Sequence, residues 1–310
     1  MTQALWGIDL GGTKIEGVVL EPAPSYRVLS RLRVPTEASQ GYAHILQQIQ
    51  KLVQLLISET GLQPTVLGLG TPGSLDPATQ TLKNSNTTCL NGKPFKNDLE
   101  ALLSLPLVIT NDANCFALAE THLGIIPDKM PQAEVVLGLI LGTGVGGGIV
   151  VNGKVIYGRQ GIAGEWGHNI LDEAGEQCYC GKTGCVETIL SGPALQRYYT
   201  SLSGEEVKLP VIMERYQAGN DPYATKTVAR MVHYFGKGLA VLVNILDPDA
   251  IIIGGGVGNI DVLYHEGAEA VKKYVFNTHP DILLLKPKLG DSAGVFGAAM
   301  LTIQVPLFQR

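Results

Sequence analysis

The chain has 310 residues and 33.0 kDa, with 45% apolar and 16% charged side chains, a formal net charge of −5 and a pI near 5.7. That length can bury a large core and suggests two domains, and mild acidity without a long run of one sign argues against a phosphate-backbone binder. The opening MTQALWGIDLGG has no basic segment ahead of an apolar one, so no secretory signal and no nucleic-acid or membrane partner are expected; with unpaired cysteines this points to the cytoplasm.

The first elements read as strand, glycine turn, strand: residues 5–10, then Gly11-Gly12-Thr13-Lys14, then 15–20, with a third strand near 27–34. Ile45, Ile49, Leu52, Val53 and Leu56 recur at helical spacing over 42–60, and Gly61 supplies a C-cap. A strand at 66–70 leads into Thr71-Pro72-Gly73. Another at 107–110 delivers Asn111-Asp112-Ala113-Asn114 to a helix over 113–123.

From Val135 to Val151 run 17 uncharged residues, close to the lower limit for a membrane span. Six are glycines, which suit two buried strands and a turn far better than a helix. The strands are read at 137–141 and 148–152 around Gly142-Thr143-Gly144, with Asn152-Gly153 as a hairpin turn. Laying Gly11 on Gly142 aligns two strand–turn–strand units, which reads as an internal duplication: two α/β lobes facing across a cleft. A long helix at 223–246 follows, then a strand at 250–253, Gly254-Gly255-Gly256, a helix near 262–274, a strand at 282–286 and a last helix over 292–304.

Gly142 to Gly147 formally matches G-x-G-x-x-G, but the dinucleotide motif needs a helix after it, and a β-rich run follows instead. Gly181-Lys182-Thr183 fails as a Walker A motif because Glu176 stands where the first glycine is required. Glycine hairpins expose backbone amides that form anion nests. Two of them, with Gly254 to Gly256, could hold a nucleotide; any one alone reads as an ordinary turn.

His168-x9-Cys178-x-Cys180-x4-Cys185 places an imidazole and three thiols in one short stretch, flanked by Glu165 and Glu187. Such ligands suit tetrahedral zinc, and a closed Cys3His shell leaves no position for a catalytic water, so the metal is expected to be structural. Buried free cysteines or a disulfide are the competing readings, but Cys178 and Cys180 are too close to pair easily, and Cys89 and Cys115 are distant.

Taken together, Asp9 to Lys14, Gly142 to Gly147 and Ile253 to Gly256 resemble the phosphate and adenosine elements of the actin-like ATPase and sugar kinase superfamily. Glu165-x-Gly-His168 with the cysteine cluster narrows the resemblance to the ROK family (repressors, open reading frames and kinases). The resemblance implies an α/β fold of two actin-like, ribonuclease H-like lobes with an interlobe cleft and a zinc-binding insertion in the second. The small lobe is expected over residues 1–111, with the helix 292–304 packing on it, and the large lobe over 112–291. It also implies an ATP-dependent hexose kinase using magnesium, and a homodimer.

Asp112, at a strand-to-helix junction, is the candidate catalytic base; residues alone leave a helix cap equally open, and the resemblance decides for the base. A helix N-terminus is expected to lower its pKa. Asp9 is expected to hold Mg2+, with Gly11, Gly12, Thr13, Gly142, Thr143, Gly144, Gly254, Gly255 and Gly256 around the nucleotide. Lys14 reads either as a phosphate contact or as a solvated lysine. Sugar hydroxyls donate and accept, so carboxylates and amides suit them: Glu165, His168, Glu187, Asn86, Asn111 and backbone at Gly73. His168 can place one ring nitrogen on zinc and the other on the sugar. Residues 83–95, 163–169 and 243–249 resemble the fructokinase/mannokinase branch, giving an expectation of fructose 6-phosphorylation, with glucose, mannose or N-acetylglucosamine as alternatives. A non-catalytic sugar sensor or repressor is disfavoured, because no room for a helix-turn-helix precedes the hairpin at residue 7.

Overall fold

The computed structural model describes residues 3–304, and backbone contacts divide them into two compact units. The first comprises residues 3–129, 153–163 and 288–304; the second comprises 130–152 and 164–287. The division therefore falls after residue 129 rather than after 111. The helix that follows Asn111 is packed into the first unit, and a boundary placed at the strand end would have cut it away.

In the first unit β1 (Leu5–Leu10) and β2 (Lys14–Leu20) form an antiparallel hairpin, and β3 (Val28–Pro35) pairs with β2. Helix α1 (Tyr42–Thr60) follows, with the five spaced apolar residues buried and Gly61 closing it in a left-handed conformation. Strand β4 (Leu67–Thr71) pairs parallel with β1. A small hairpin of β5 (Ser74–Leu75) and β6 (Leu82–Lys83) precedes α2 (Phe95–Leu103), an amphipathic helix with Phe95 and Leu99 buried. Strand β7 (Leu107–Asn111) pairs parallel with β4, so the sheet order is β3-β2-β1-β4-β7. It delivers the chain into α3 (Asp112–His122) and the short α4 (Ile126–Lys129).

Strands β8 (Val135–Leu141) and β9 (Val145–Val151) of the second unit account for the uncharged run. The return strand starts at Val145, earlier than expected, because Gly146, Gly147 and Gly148 lie in register opposite Ile140, Leu139 and Gly138. Among the described residues no helix is long and apolar enough to cross a membrane. Asn152 and Gly153 turn with positive φ values of 50° and 71°, ahead of the two-residue β10 (Lys154–Val155), which belongs to the first unit. Then come α5 (Glu187–Leu190), α6 (Gly192–Ser203), α7 (Leu209–Ala218) and the 25-residue α8 (Pro222–Leu246). Asp221 caps α8 by accepting from the amides of Tyr223 and Ala224.

Strand β11 (Ala250–Gly254) pairs parallel with β8 and with β12 (Leu284–Leu285), the paired remnant of the strand expected over 282–286. Between them α9 (Gly255–Gly258) starts directly at the glycine triplet. The helix expected near 262–274 opens as a π-helical turn, Leu263–Gly267, before α10 (Ala268–Lys272). The order β9-β8-β11-β12, antiparallel then parallel twice, repeats β2-β1-β4-β7, the topology an internal duplication requires.

The last helix, α11 (Ala293–Leu301), is apolar on all sides and packs on α3 and β1 within the first unit. A side chain at Gly297 would sit 1.8 Å from the Cys115 carbonyl, so the two helix backbones touch directly there. Each unit has its own core, one around Trp6, Leu52 and Phe95 and one around Trp166, Phe235 and Leu239.

Candidate functional site

Asp9 is the half-buried penultimate residue of β1, with buried Leu10 between it and the first glycine turn. The Gly11 amide donates to Lys14 O at 3.0 Å, while buried Thr36 holds the turn's carbonyls: its hydroxyl donates to Gly11 O at 2.7 Å and its amide to Thr13 O at 3.0 Å. Gly12 and Thr13 are exposed. Lys14 lies 3.8 Å from buried Glu16, which also pairs with Arg31 and Arg33, so the hairpin lysine has an acidic partner of its own.

Desolvation, then the charges of Asp112 and Glu16, push Asp9 up to about 7 despite Lys14. A carboxylate raised by like charges is a position where a divalent cation is favourable, so the donor set suits magnesium.

Asn111, not Asp112, is the N-cap of α3: its side chain accepts from the Asn114 amide at 2.9 Å. Asp112 is left as the first helical residue, its Oδ1 accepting from the Ala113 amide at 2.8 Å. The expected lowering of its pKa does not occur. Asp112 keeps solvent-exposed surface, yet the protein mass around its carboxyl raises the pKa and outweighs the amide bonds that lower it. Gly73 backs onto the Lys83–Ser85 backbone, and Asn86 is exposed just beyond it.

The second glycine turn joins its strands in the same way but closes one residue shorter. The Gly142 amide donates to Gly144 O at 2.9 Å, and Gly142 O accepts from the Gly192 amide at 2.8 Å; Thr143 is exposed. Gly254 is buried while Gly255 and Gly256 are exposed. At Gly255, with φ of 82°, an added Cβ would lie 2.3 Å from Leu141 O and 3.0 Å from the Gly142 amide. The triplet is thus seated against the turn, and the nucleotide candidates of this unit form one glycine surface.

The cysteine cluster folds as a knuckle. Trp166, buried in the core, begins the short turn Trp166–His168, and isolated bridges Ile170–Cys185 and Gln177–Thr183 close the loop. Tyr234 on α8 donates to Asp172 at 2.6 Å and anchors it. All five cysteines are free thiols. The ligand atoms of His168, Cys178, Cys180 and Cys185 lie within 4.8 Å of one another. His168 Nδ1 is 3.6 Å from Cys178 Sγ, and Cys180 Sγ is 3.6 Å from Cys185 Sγ. Tetrahedral zinc with ordinary bond lengths separates S and N by about 3.6 Å and two sulfurs by about 3.8 Å. Burial and the neighbouring thiols push Cys185 up to about 12, so ionising the set together calls for a cation. The residues fit zinc.

Glu165 precedes the His168 turn, and Glu187 begins α5. One oxygen of Glu187 is already engaged, accepting from the Val145 amide at 2.8 Å beside the glycine turn. Tyr179, the residue between two cysteines, is a site residue that composition and spacing do not reveal. Its hydroxyl lies 3.0 Å from His168 Nε2, the nitrogen expected to face the sugar. Desolvation of the hydroxyl by the surrounding loop, then the charges of Glu187, Cys178 and Glu165, push its phenol up to about 12, although most of the side chain is exposed. An aromatic inside C-x-C was the available signal.

The ROK family pattern matches residues 5–305. The N-acetyl-D-glucosamine kinase of Pasteurella multocida (strain Pm70) is 37% identical over 307 residues, covering 96% of this chain and 98% of that protein. The ROK hexokinase from Thermus thermophilus has a TM-score of 0.86 and 34% identity, covering 96% of this chain and 97% of that one. A ROK family glucokinase from Streptomyces griseus, solved with glucose and AMPPNP, has a TM-score of 0.75 and 29% identity, covering 98% and 100%.

These comparisons overturn the fructokinase reading, since full-length relatives at 35–37% identity are N-acetyl-D-glucosamine kinases. Residues in two of the segments that suggested fructokinase serve the fold. Asn91 stitches its own loop, accepting from the Ser85 amide and donating to Ser85 O, and Asp249 holds the amides of Glu134 and Val135. Such residues report a loop geometry, not a sugar. The chain belongs to the ROK family.

Proposed function

We propose that this protein is an ATP-dependent N-acetyl-D-glucosamine kinase that phosphorylates the 6-hydroxyl of the sugar. The full-length similarity to kinases of that sugar carries the reading, and the ATP analogue bound to the Streptomyces griseus relative supports the donor.

Phosphoryl transfer asks the protein for alignment, charge neutralisation and a proton acceptor. Asp112 takes the proton of the attacking hydroxyl as its oxygen bonds to the γ-phosphorus and the bond to the ADP oxygen breaks. Its raised pKa brings it nearer the working pH, where a general base is more effective. Asp9 would hold the magnesium that accompanies ATP, and the turn Gly11, Gly12 and Thr13 beside it would face phosphate, with the exposed Gly12 and Thr13 backbone as donors. Gly142, Thr143, Gly144 and Gly254 to Gly256 form the nucleotide surface of the second unit.

In the second unit Glu165, His168 and Glu187 are the groups that bind sugar hydroxyls; in the first unit the candidates are Gly73, Asn86 and Asn111. The Oδ1 of Asn111 is committed to the helix cap. Cys178, Cys180, Cys185 and His168 would hold zinc, which would supply structural order only; the ligand residues would fix the ring so that Nε2 faces away from the metal. A coupled ADP-release assay across N-acetylglucosamine, glucose and mannose tests the reading. The highest kcat/KM is expected for N-acetylglucosamine, and a hexose without the acetamido group preferred by tenfold or so would reject it.

A further inference from the structure

Tyr179 lies inside the metal-binding loop, yet it is 79% exposed. An exposed tyrosine normally points its ring into solvent without a fixed partner. This one is held twice by the same residue: its hydroxyl is 3.0 Å from His168 Nε2, and the two rings meet edge to face at 5.2 Å and 87°.

The direction of that hydrogen bond follows from the ring's other end. His168 Nδ1 faces Cys178 Sγ at 3.6 Å, within the ligand cluster. An Nδ1 whose lone pair is given to a metal leaves the ring hydrogen on Nε2. Nε2–H is then a donor and the Tyr179 oxygen its acceptor. A sugar can meet this nitrogen only with an acceptor oxygen of its own, from a hydroxyl or an acetamide carbonyl. Glu165 and Glu187, the other proposed sugar ligands of this unit, are close enough for their charges to act on the Tyr179 phenol.

We propose that Tyr179 is a resident stand-in for the substrate: its hydroxyl oxygen occupies the His168 Nε2–H in the sugar-free protein and is displaced by a sugar oxygen on binding. The inference rests on the sugar-kinase reading and makes Tyr179 a positioning and specificity residue of that site. The occupied donor stays oriented before binding. Every incoming sugar must repay one exchanged hydrogen bond, and only a sugar with an acceptor at that point does so. The exposed side chain has room to leave by rotation about its own χ1.

Tyr179→Phe removes the competing oxygen and keeps the ring against His168. The expected result is a sugar KM lower by about two- to tenfold, the range of one net hydrogen bond. The calorimetric Kd should fall in parallel, with kcat, the KM for ATP and the zinc content unchanged. An unchanged or higher sugar KM in a zinc-loaded variant overturns the proposal, as does loss of zinc, which would make the phenol a support of the metal loop. The wild-type protein run alongside separates the two readings. Turnover of a sugar with no gain in the variant sinks the stand-in alone, whereas a wild-type protein that phosphorylates no sugar sinks the kinase reading and the stand-in with it.

Discussion

Two aspartates of the first unit show how a residue's surroundings decide its use. Asp112 begins a helix, where backbone amides favour the carboxylate, yet the surrounding protein raises its pKa. A base must be ionised to accept a proton, so activity is expected to fall as pH drops through that raised value. The acid limb of a kcat/KM profile should lie above the ordinary aspartate range near 4; a limb at or below it would separate Asp112 from the rate. Asp112→Asn should lower kcat by about 10²- to 10⁴-fold while calorimetry still detects sugar binding, and near-normal turnover would contradict the base assignment. For Asp9 the folded value is about 7 against 3.8 for the free residue. The folded state therefore prefers the protonated form, and the stability this confers is full below about pH 4 and lost as pH rises through 7. Asp9→Asn should raise the melting temperature at pH 8 in magnesium-free buffer, with no such gain at pH 4, while abolishing the magnesium-dependent shift of the wild type.

At the scale of elements, strongly patterned segments were legible and contextual ones were not. Leu5 to Leu10 and the α1 stripe carry their period in the side chains, and their bounds follow from it. The strand expected over 282–286 shrinks to Leu284–Leu285, because its register with β11 extends over those two residues, with the Leu283 carbonyl accepting from the Ile251 amide just ahead of them. Hydropathy cannot announce where pairing stops. The same holds for the candidate site. The His–Cys cluster was readable because an imidazole and three thiols at short spacing rarely gather except around a metal, whereas Tyr179, Thr36 and the cap role of Asn111 depend on partners brought in by the fold. The glycine triplet shows the structural cost of such partners. Gly255→Ala would force a Cβ into the Leu141 carbonyl at a φ of 82°, costing about 1–3 kcal/mol from overpacking and more from backbone strain. Its melting temperature should fall and its KM for ATP rise well beyond its KM for sugar. Equal effects on both substrates would detach the triplet from the nucleotide.

The whole molecule is built from two units with separate cores and a repeated strand order, and the metal loop belongs to the second alone. That loop hangs from its unit by Trp166 in the core, by the Tyr234–Asp172 hydrogen bond to α8, and by its four-ligand centre. The first two anchors survive without metal, so removing zinc should loosen the loop and leave the sheet beneath it folded. Cys180→Ser, or chelation of the wild type, is expected to abolish bound zinc by elemental analysis and to raise the sugar KM by on the order of tenfold. His168 then loses the constraint on Nδ1 and Nε2 its fixed aim. Hydrogen exchange read by mass spectrometry separates this from general unfolding. Protection should be lost across residues 164–190 while β8, β11 and the strands of the first unit keep theirs. If β1 and β4 deprotect together with the loop, zinc holds the molecule as a whole and its role as a local brace for His168 fails. If zinc leaves and neither exchange nor sugar KM changes, the knuckle's backbone bridges alone set the geometry of His168.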